Sequence, residues 1–295
     1  MGAEMDVLVR VLSASLMVAM PLGLGLVLAR RLRLRWGLFA IGAAAFVGSQ
    51  VLHLPFNAWV LGPLFQRLGL TEATQGLPLA IVAAAFGLSA GVFEEGARAV
   101  VYPFWLKGSR SWSQALMFGA GHGGIEAILL GGLVSLTLFQ LINLRGVDLA
   151  TVFPAEQVAL ARAQVEAYWS APWYEALLPA VERASALCMQ VSLAVLVLQA
   201  FTRRNPLWIV AAIGWHAWID AVAVFALPTW GVYVTEGLVA ILALASLAIL
   251  FALRTPDPTE PVASPGGVTP VLKFAQVAEA PTVTPDKLEK SRYTD

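Results

Sequence analysis

The sequence has little charge and almost no cysteine. Asp, Glu, Lys and Arg make up 13% of its 295 residues, about half of the roughly 25% that soluble domains carry. Acidic and basic residues balance at 19 each, so the charge gives no indication of a nucleic-acid partner. The single cysteine, Cys188, can form neither an internal disulfide nor a cysteine metal cage, and we interpret it as an apolar packing residue. These absences exclude a disordered chain, a secreted disulfide scaffold and an ordinary cytosolic enzyme.

Long apolar runs take the place of charge. Apolar residues make up 58% of the chain, and several runs exceed the ~20 residues that cross a bilayer as a helix. Transmembrane barrels are excluded because their strands alternate polar and apolar residues over about ten positions. The sequence therefore predicts an all-α polytopic membrane helix bundle. Its seven predicted transmembrane spans are 6–29, 36–60, 77–106, 112–144, 176–201, 206–227 and 229–253.

Two further segments are interpreted as lying outside the spans. Residues 146–172 mix charges such as Asp148 and Arg162 with apolar side chains, which favours an outer amphipathic helix on the membrane interface. Residues 255–295 are rich in Pro, Thr, Val and Glu without a periodic apolar face, which favours a disordered cytoplasmic tail. The sequence thus predicts an integral membrane helical domain over 1–254, followed by that tail.

The placement of Lys and Arg predicts the orientation, because short cytoplasmic loops carry an excess of these residues. Four arginines follow the first span, Lys107 and Arg110 follow the third, Arg203 and Arg204 follow the fifth, and Arg254 follows the last. We therefore predict the N-terminus outside and the C-terminus in the cytoplasm.

Three ionisable residues stand close together in the third span, within GVFEEGAR. Charged groups inside a span cost several kcal/mol and are functional candidates by default. Arg98 follows Glu94 by four positions and Glu95 by three, so either carboxylate can meet it on one helix face. The other carboxylate must then be protonated, bind a metal ion or hold a water molecule. A buried ion pair that ties helices together is the structural alternative.

Two more spans each pair a histidine with a carboxylate four positions later. The fourth span has His122 and Glu126 within FGAGHGGIEA, and the sixth has His216 and Asp220 within WHAWIDA. The glycines around His122 allow a neighbouring helix to approach closely, and a carboxylate one turn from a histidine can orient its ring. Hydrogen-bonded packing between helices is the alternative at both positions.

Depth connects these three spans. Counting inward from the predicted cytoplasmic ends at ~1.5 Å per residue places Glu94 about 18 Å, and His122 and His216 about 15 Å, into the membrane. Two histidines and a carboxylate form a common ligand set for a divalent metal ion such as zinc, with room for a water molecule. A water activated by a metal ion or a carboxylate is a hydrolytic nucleophile. The common level therefore favours a functional site over three separate packing contacts.

Other polar residues receive weaker interpretations. The same count places Gln190 of the fifth span near the level of the site, so we expect it to line a cavity. Glu182 and Arg183 fall nearer the outside and are assigned to the interface. His53, with Gln50, also falls towards the outer end of its span and is interpreted as an interfacial or capping histidine.

These motifs resemble those of the CAAX-protease and bacteriocin-processing superfamily of intramembrane proteases. Its pattern is two glutamates and an arginine, then FxxxH, then HxxxN or HxxxD, and all three parts occur here in order on separate spans. The closer similarity is to the YhfC branch, described as intramembrane metalloproteases. The segments SQVLHLPFN and VERASAL resemble segments of that branch. One departure is that two residues, rather than three, separate the glutamate pair from the arginine. The matching residues are Glu94, Glu95, Arg98, Phe118, His122, His216 and Asp220.

The resemblance implies an intramembrane metalloprotease of the bacterial cytoplasmic membrane that cleaves a membrane-embedded, lipid-linked or prenylated peptide. Glu94 would be the general base that activates water, and His122 and His216 would bind a divalent metal ion, zinc, or the water itself. Glu95, Glu126 and Asp220 would be further ligands or partners of ligands. Arg98 would hold a glutamate or stabilise the oxyanion.

Two other classes of function stay open on the sequence. A non-enzymatic membrane protein for binding, immunity or sensing could use the same polar cluster without turnover. A small transporter would suit charged residues near the midplane, but the sequence has no evident internal repeat and no matching pair of broken helices.

Overall fold

The structure is a computed structural model that describes residues 2–71 and 75–256. Within these ranges the chain is helical almost throughout, and no β-strand occurs. The all-α prediction is therefore confirmed. The α-helices of the described residues are α1 (Gly2–Arg31), α2 (Trp36–Phe56), α3 (Gly62–Arg67), α4 (Gly76–Phe104), α5 (Trp112–Asn143), α6 (Ala155–Ser170), α7 (Leu178–Thr202), α8 (Leu207–Trp230) and α9 (Val232–Ala252).

Seven helical stretches in the described ranges are long and apolar enough to cross a membrane, which confirms the number of predicted spans. Their bounds agree with the predictions to within three residues, except that the second span ends at Arg67 and not at residue 60. The second span continues past Phe56 through a π-helical turn, Asn57–Leu61, into α3. Pro63 stands at the start of α3, directly after this turn. The sixth span continues through Pro228 and ends at Trp230, where Gly231, with a left-handed φ of 79°, caps the helix.

Helix α6 lies between the fourth and fifth spans, where the sequence predicts an outer helix. None of its residues is buried. Arg10 of α1 holds its C-terminal end, because the guanidinium donates to the backbone oxygen of Tyr168 at 2.6 Å and lies 4.6 Å from the centre of that ring. The predicted tail lies outside the described residues from position 257 onward.

Helix α7 is the centre of the bundle, since 72% of its most apolar stretch is buried against other helices. It contacts α5, α8 and α9, while α4 packs on α8 and α2 packs on α5. The outward faces carry exposed leucine, valine and phenylalanine side chains, such as Leu88, Phe139 and Leu244. An apolar exterior of this kind matches a lipid environment and not water.

Glycines bring the paired helices into backbone contact. A Cβ atom added to Gly42 of α2 would meet the oxygen of Phe118 at 2.0 Å, and one added to Gly121 of α5 would meet the oxygen of Phe39 at 2.0 Å. On α4, a Cβ at Gly87 would meet the oxygen of Ala217 of α8 at 2.3 Å. Small residues allow such close approach, which gives membrane helices much of their packing energy. These contacts fix α4 and α8, and α2 and α5, next to each other at the level of the polar side chains.

We expect Gly121→Ala to lower the melting temperature of the purified protein by several degrees, because the added methyl group forces α2 away from α5 and overpacking costs about 1–3 kcal/mol. Gly132→Ala is the matched control, since it adds the same methyl group to the same helix where nothing lies within 4 Å. Thermal unfolding in detergent, followed by size-exclusion chromatography, measures both. Equal melting temperatures for the two variants would contradict the close-packing argument.

Candidate active site

Side chains from α4, α5, α7 and α8 converge inside the bundle. Glu94 lies ten residues before the end of α4, His122 ten residues after the start of α5, and His216 nine residues after the start of α8. These helix ends lie on the same side of the bundle, so the three residues share a level about 15 Å from it. His122 is fully buried, and Glu94 and His216 are 7% and 4% exposed. The structure thus brings together the three residues that the depth count places at one level.

Glu94 is the centre of this cluster. Its Oε2 atom lies 3.2 Å from Nε2 of His122 and 3.9 Å from Nε2 of His216, and accepts from the amide of Gln190 at 3.3 Å. Its Oε1 atom accepts from the amide of Gln50 at 3.1 Å. One carboxylate oxygen is therefore held by α2, while the other faces both histidines.

Arg98 pairs with Glu95 and not with Glu94. The guanidinium donates to Oε1 of Glu95 and to Oε1 of Gln190, and both charged side chains are fully buried. The same Glu95 oxygen lies 2.7 Å from Nδ1 of His216. Because a carboxylate only accepts hydrogen bonds, Nδ1 of His216 carries the hydrogen. Nε2 of His216 then faces Glu94, with Oδ2 of Asp220 at 3.5 Å.

Glu126 belongs to the rim of the site. Its two oxygens accept from Arg183 at 2.6 Å and from Gln190 at 2.9 Å. Arg183 also donates to Glu182 at 2.5 Å. The interfacial assignment of Arg183 is wrong, because this side chain is only 8% exposed and its charge is satisfied inside the bundle. The expectation that Gln190 lines the cavity agrees with its contacts to both Glu94 and Glu126.

Negative charge is in excess in this cluster. Five carboxylates, those of Glu94, Glu95, Glu126, Asp220 and Glu182 at the rim, face two guanidiniums, so three negative charges are unbalanced when the histidines are neutral. Within the described part of the chain, Oε2 of Glu95 and Nδ1 of His122 are also buried without a hydrogen-bond partner. Unbalanced charge is costly in a membrane interior, and either two histidine protons or one divalent cation would remove two of these charges. The guanidiniums counted are those of Arg98 and Arg183.

The donor set fits a divalent metal ion in chemistry and nearly in spacing. No three His, Cys, Asp or Glu side chains in the described ranges are already arranged as a metal site. However, the separations of 3.2, 3.9 and 3.5 Å that link His122, Glu94, His216 and Asp220 lie close to the separation of two ligands on one tetrahedral zinc ion, which is roughly 3.4 Å.

A cavity of about 100 Å³ adjoins Glu94 and His216. It is bounded towards the outer ends of the helices by Asp220, Glu182 and Arg183. This volume holds several water molecules, but not a peptide segment. Water in this cavity can therefore meet Glu94 and His216.

Two residues of the site were missed by the sequence reasoning. Gln50 and His53 are joined to the site, and His53 is only 8% exposed, so its interfacial assignment is wrong. Depth did not reveal them, because Gln50 lies about 21 Å from the start of α2 and the count does not show which face of the helix turns inward. Arg10 of α1, 4% exposed, is a buried charge outside the site that the sequence reasoning did not weigh.

The fold and this cluster define a multi-pass membrane protein with a glutamate–histidine centre inside the bilayer. The sequence model of the family described as YhfC intramembrane metalloprotease matches residues 16–243, which include every residue of the centre. The chain belongs to this family. It is 34% identical over 226 residues to the uncharacterized membrane protein YhfC of Bacillus subtilis (strain 168), covering 72% of this chain and 82% of the relative. No solved structure matches the chain.

Proposed function

We propose that the protein is an intramembrane protease of the bacterial cytoplasmic membrane that hydrolyses peptide bonds of membrane-embedded or lipid-linked peptides. The observation that carries this proposal is the position of Glu94, whose Oε2 atom faces two histidine nitrogens beside a cavity for water. Family membership supports the class of reaction. The buried level of the site supports a substrate that itself lies in the membrane.

Glu94 acts as the general base in this proposal. Gln50 holds its Oε1 atom, so Oε2 is the oxygen that takes a proton from water in the cavity. The same carboxyl group can return that proton to the leaving amine, as general acid–base catalysis by one residue requires. His122 and His216 orient the water on the opposite side of Oε2.

Glu95 and Arg98 support this arrangement through the side chains that they contact. Glu95 fixes the ring of His216 with Nε2 towards Glu94, and such outer partners orient the groups that react. The resemblance implies two roles for Arg98, and its contacts favour the one in which it holds a glutamate. Its guanidinium is fully buried between Glu95 and Gln190 and does not line the cavity.

His122 and His216 would hold a divalent metal ion, with Asp220 as the carboxylate ligand when Glu94 acts as the base. We infer zinc, since two imidazoles and one carboxylate with an open position are typical of catalytic zinc sites. A metal ion there supplies Lewis acidity towards the water and the scissile carbonyl. Glu126, held by Arg183 and Gln190, supports the set and is not assigned as a ligand.

We expect Glu94→Gln to abolish cleavage, since the amide keeps the size of the side chain but cannot take a proton, and general-base catalysis contributes about 10²–10⁴-fold. Wild type, Glu94→Gln and Glu156→Gln are expressed in a host that lacks its own copy. Glu156 is exposed on α6 and serves as the matched control. Mass spectrometry of labelled N-termini should find new termini inside apolar spans of host proteins for wild type and Glu156→Gln.

Unchanged new termini in Glu94→Gln would contradict the assignment of Glu94. A cellular phenotype that survives Glu94→Gln but is lost in Glu94→Leu would favour the non-enzymatic binding function, because the amide retains hydrogen bonding and the leucine does not.

The proposed orientation places the N-terminus outside, because the segments after α1, α4, α7 and α9, which carry Lys or Arg, share one side of the bundle. In a Cys188→Ala background, a membrane-impermeant maleimide should label Gln157→Cys in intact cells. It should label Gly108→Cys only after lysis. The reverse pattern would invert the orientation, and with it the side from which the cavity is reached.

A further inference from the structure

A chain of polar side chains leads from Glu94 away from the histidines. Gln50 donates to Oε1 of Glu94 at 3.1 Å, and the Gln50 carbonyl lies 3.2 Å from Nδ1 of His53. Nε2 of His53 lies 2.9 Å from the amide nitrogen of Asn57, and Ser89 donates to the carbonyl of Asn57 at 2.7 Å. The chain runs along α2 and returns to α4, one and a half turns before Glu94.

The carboxylate fixes the direction of every hydrogen bond in this chain. Glu94 only accepts, so Gln50 must present its N–H groups to Glu94 and its carbonyl to His53. Nδ1 of His53 therefore carries the hydrogen, and Nε2 accepts from Asn57. All four donors then point towards Glu94, and hydrogen bonds aligned in this way strengthen one another.

Packing holds the members of the chain in place. The ring of His53 is 8% exposed and stacks on Phe93, with centroids 5.5 Å apart and planes at 27°. Asn57 begins the π-helical turn of the second span, and such turns occur frequently at functional sites. Only the side chain of Gln50 therefore separates the packed ring of His53 from Glu94, the proposed base.

We propose that His53, as the neutral tautomer with hydrogen on Nδ1, is a positioning residue for Glu94. Through Gln50 it holds Oε1 of the carboxylate, so that Oε2 faces His122, His216 and the cavity. Two amides interrupt the chain, and an amide passes a proton only by becoming an imidic acid, so the chain positions the carboxylate and does not conduct protons. The role of His53 in catalysis rests on the proposed function, whereas its tautomer does not.

The chain has three histidines in all, so selective ¹⁵N-histidine labelling gives three pairs of ring signals. In the full-length protein in detergent, each pair is assigned by replacing one histidine at a time. We expect His53 to show a protonated Nδ1 and an unprotonated Nε2, the reverse of the tautomer that prevails in free histidine. A hydrogen on Nε2, or on both nitrogens, would overturn the proposal without any variant.

Two variants test the coupling to Glu94. His53→Asn keeps a donor near the place of Nδ1, whereas His53→Phe keeps the ring packing and removes the donor. The ring signals of His122, which faces Glu94, should shift in His53→Phe and stay near wild type in His53→Asn. Unshifted His122 signals in a folded His53→Phe variant would overturn the positioning role.

The cleavage assay separates this inference from the proposed function. The yield of new N-termini should fall about 10–100-fold in His53→Phe, as for other outer partners of reacting groups, and return in His53→Asn. If Glu94→Gln cleaves normally while the His53 tautomer is found as proposed, the proposed function fails and the hydrogen-bond chain stands. If Glu94→Gln is inactive but His53→Phe is fully active, the positioning role fails alone.

Discussion

The buried pair of Arg98 and Glu95 is the interaction on which the site depends. Two adjacent carboxylates on one membrane helix repel each other, and one guanidinium can neutralise only one of them. Because Arg98 pairs with Glu95, the second carboxylate, Glu94, faces the histidines instead. The same pair holds Gln190 through Arg98 and His216 through Glu95. Removing Arg98 would leave a buried charge without its partner and release side chains on α7 and α8 together.

Helix packing makes this arrangement possible. The glycines of α4 and α5 let α8 and α2 approach to backbone contact, and this approach places His216 and Gln50 within reach of α4. Polar groups in a membrane interior have no bulk water to satisfy them, so each side chain of the cluster needs neighbours at short distance. The small residues that allow close packing therefore also determine which polar residues can meet.

Much of the fold could be predicted from hydropathy, because a span must be about 20 apolar residues long. Depth along each span also placed Glu94, His122 and His216 together. Partner choice could not be predicted, since Arg98 meets Glu94 at i+4 and Glu95 at i+3 with equal ease on an isolated helix. His53 and Arg183 were misplaced because distance along a helix does not show which face turns inward, and only the packed bundle buries them. The second span was predicted too short because a π-helical turn carries the helix on into α3, as far as Arg67.

The central claim is that His122 and His216 form a metal centre with a carboxylate of the same cluster. Elemental mass spectrometry of the purified full-length protein tests it most directly, beside a His122→Ala/His216→Ala double variant and a His53→Asn control that removes a histidine outside the ligand set. The account predicts about one zinc ion per chain in wild type and in the control, and none in the double variant. A folded wild type without stoichiometric metal, or a double variant that keeps it, would contradict the account.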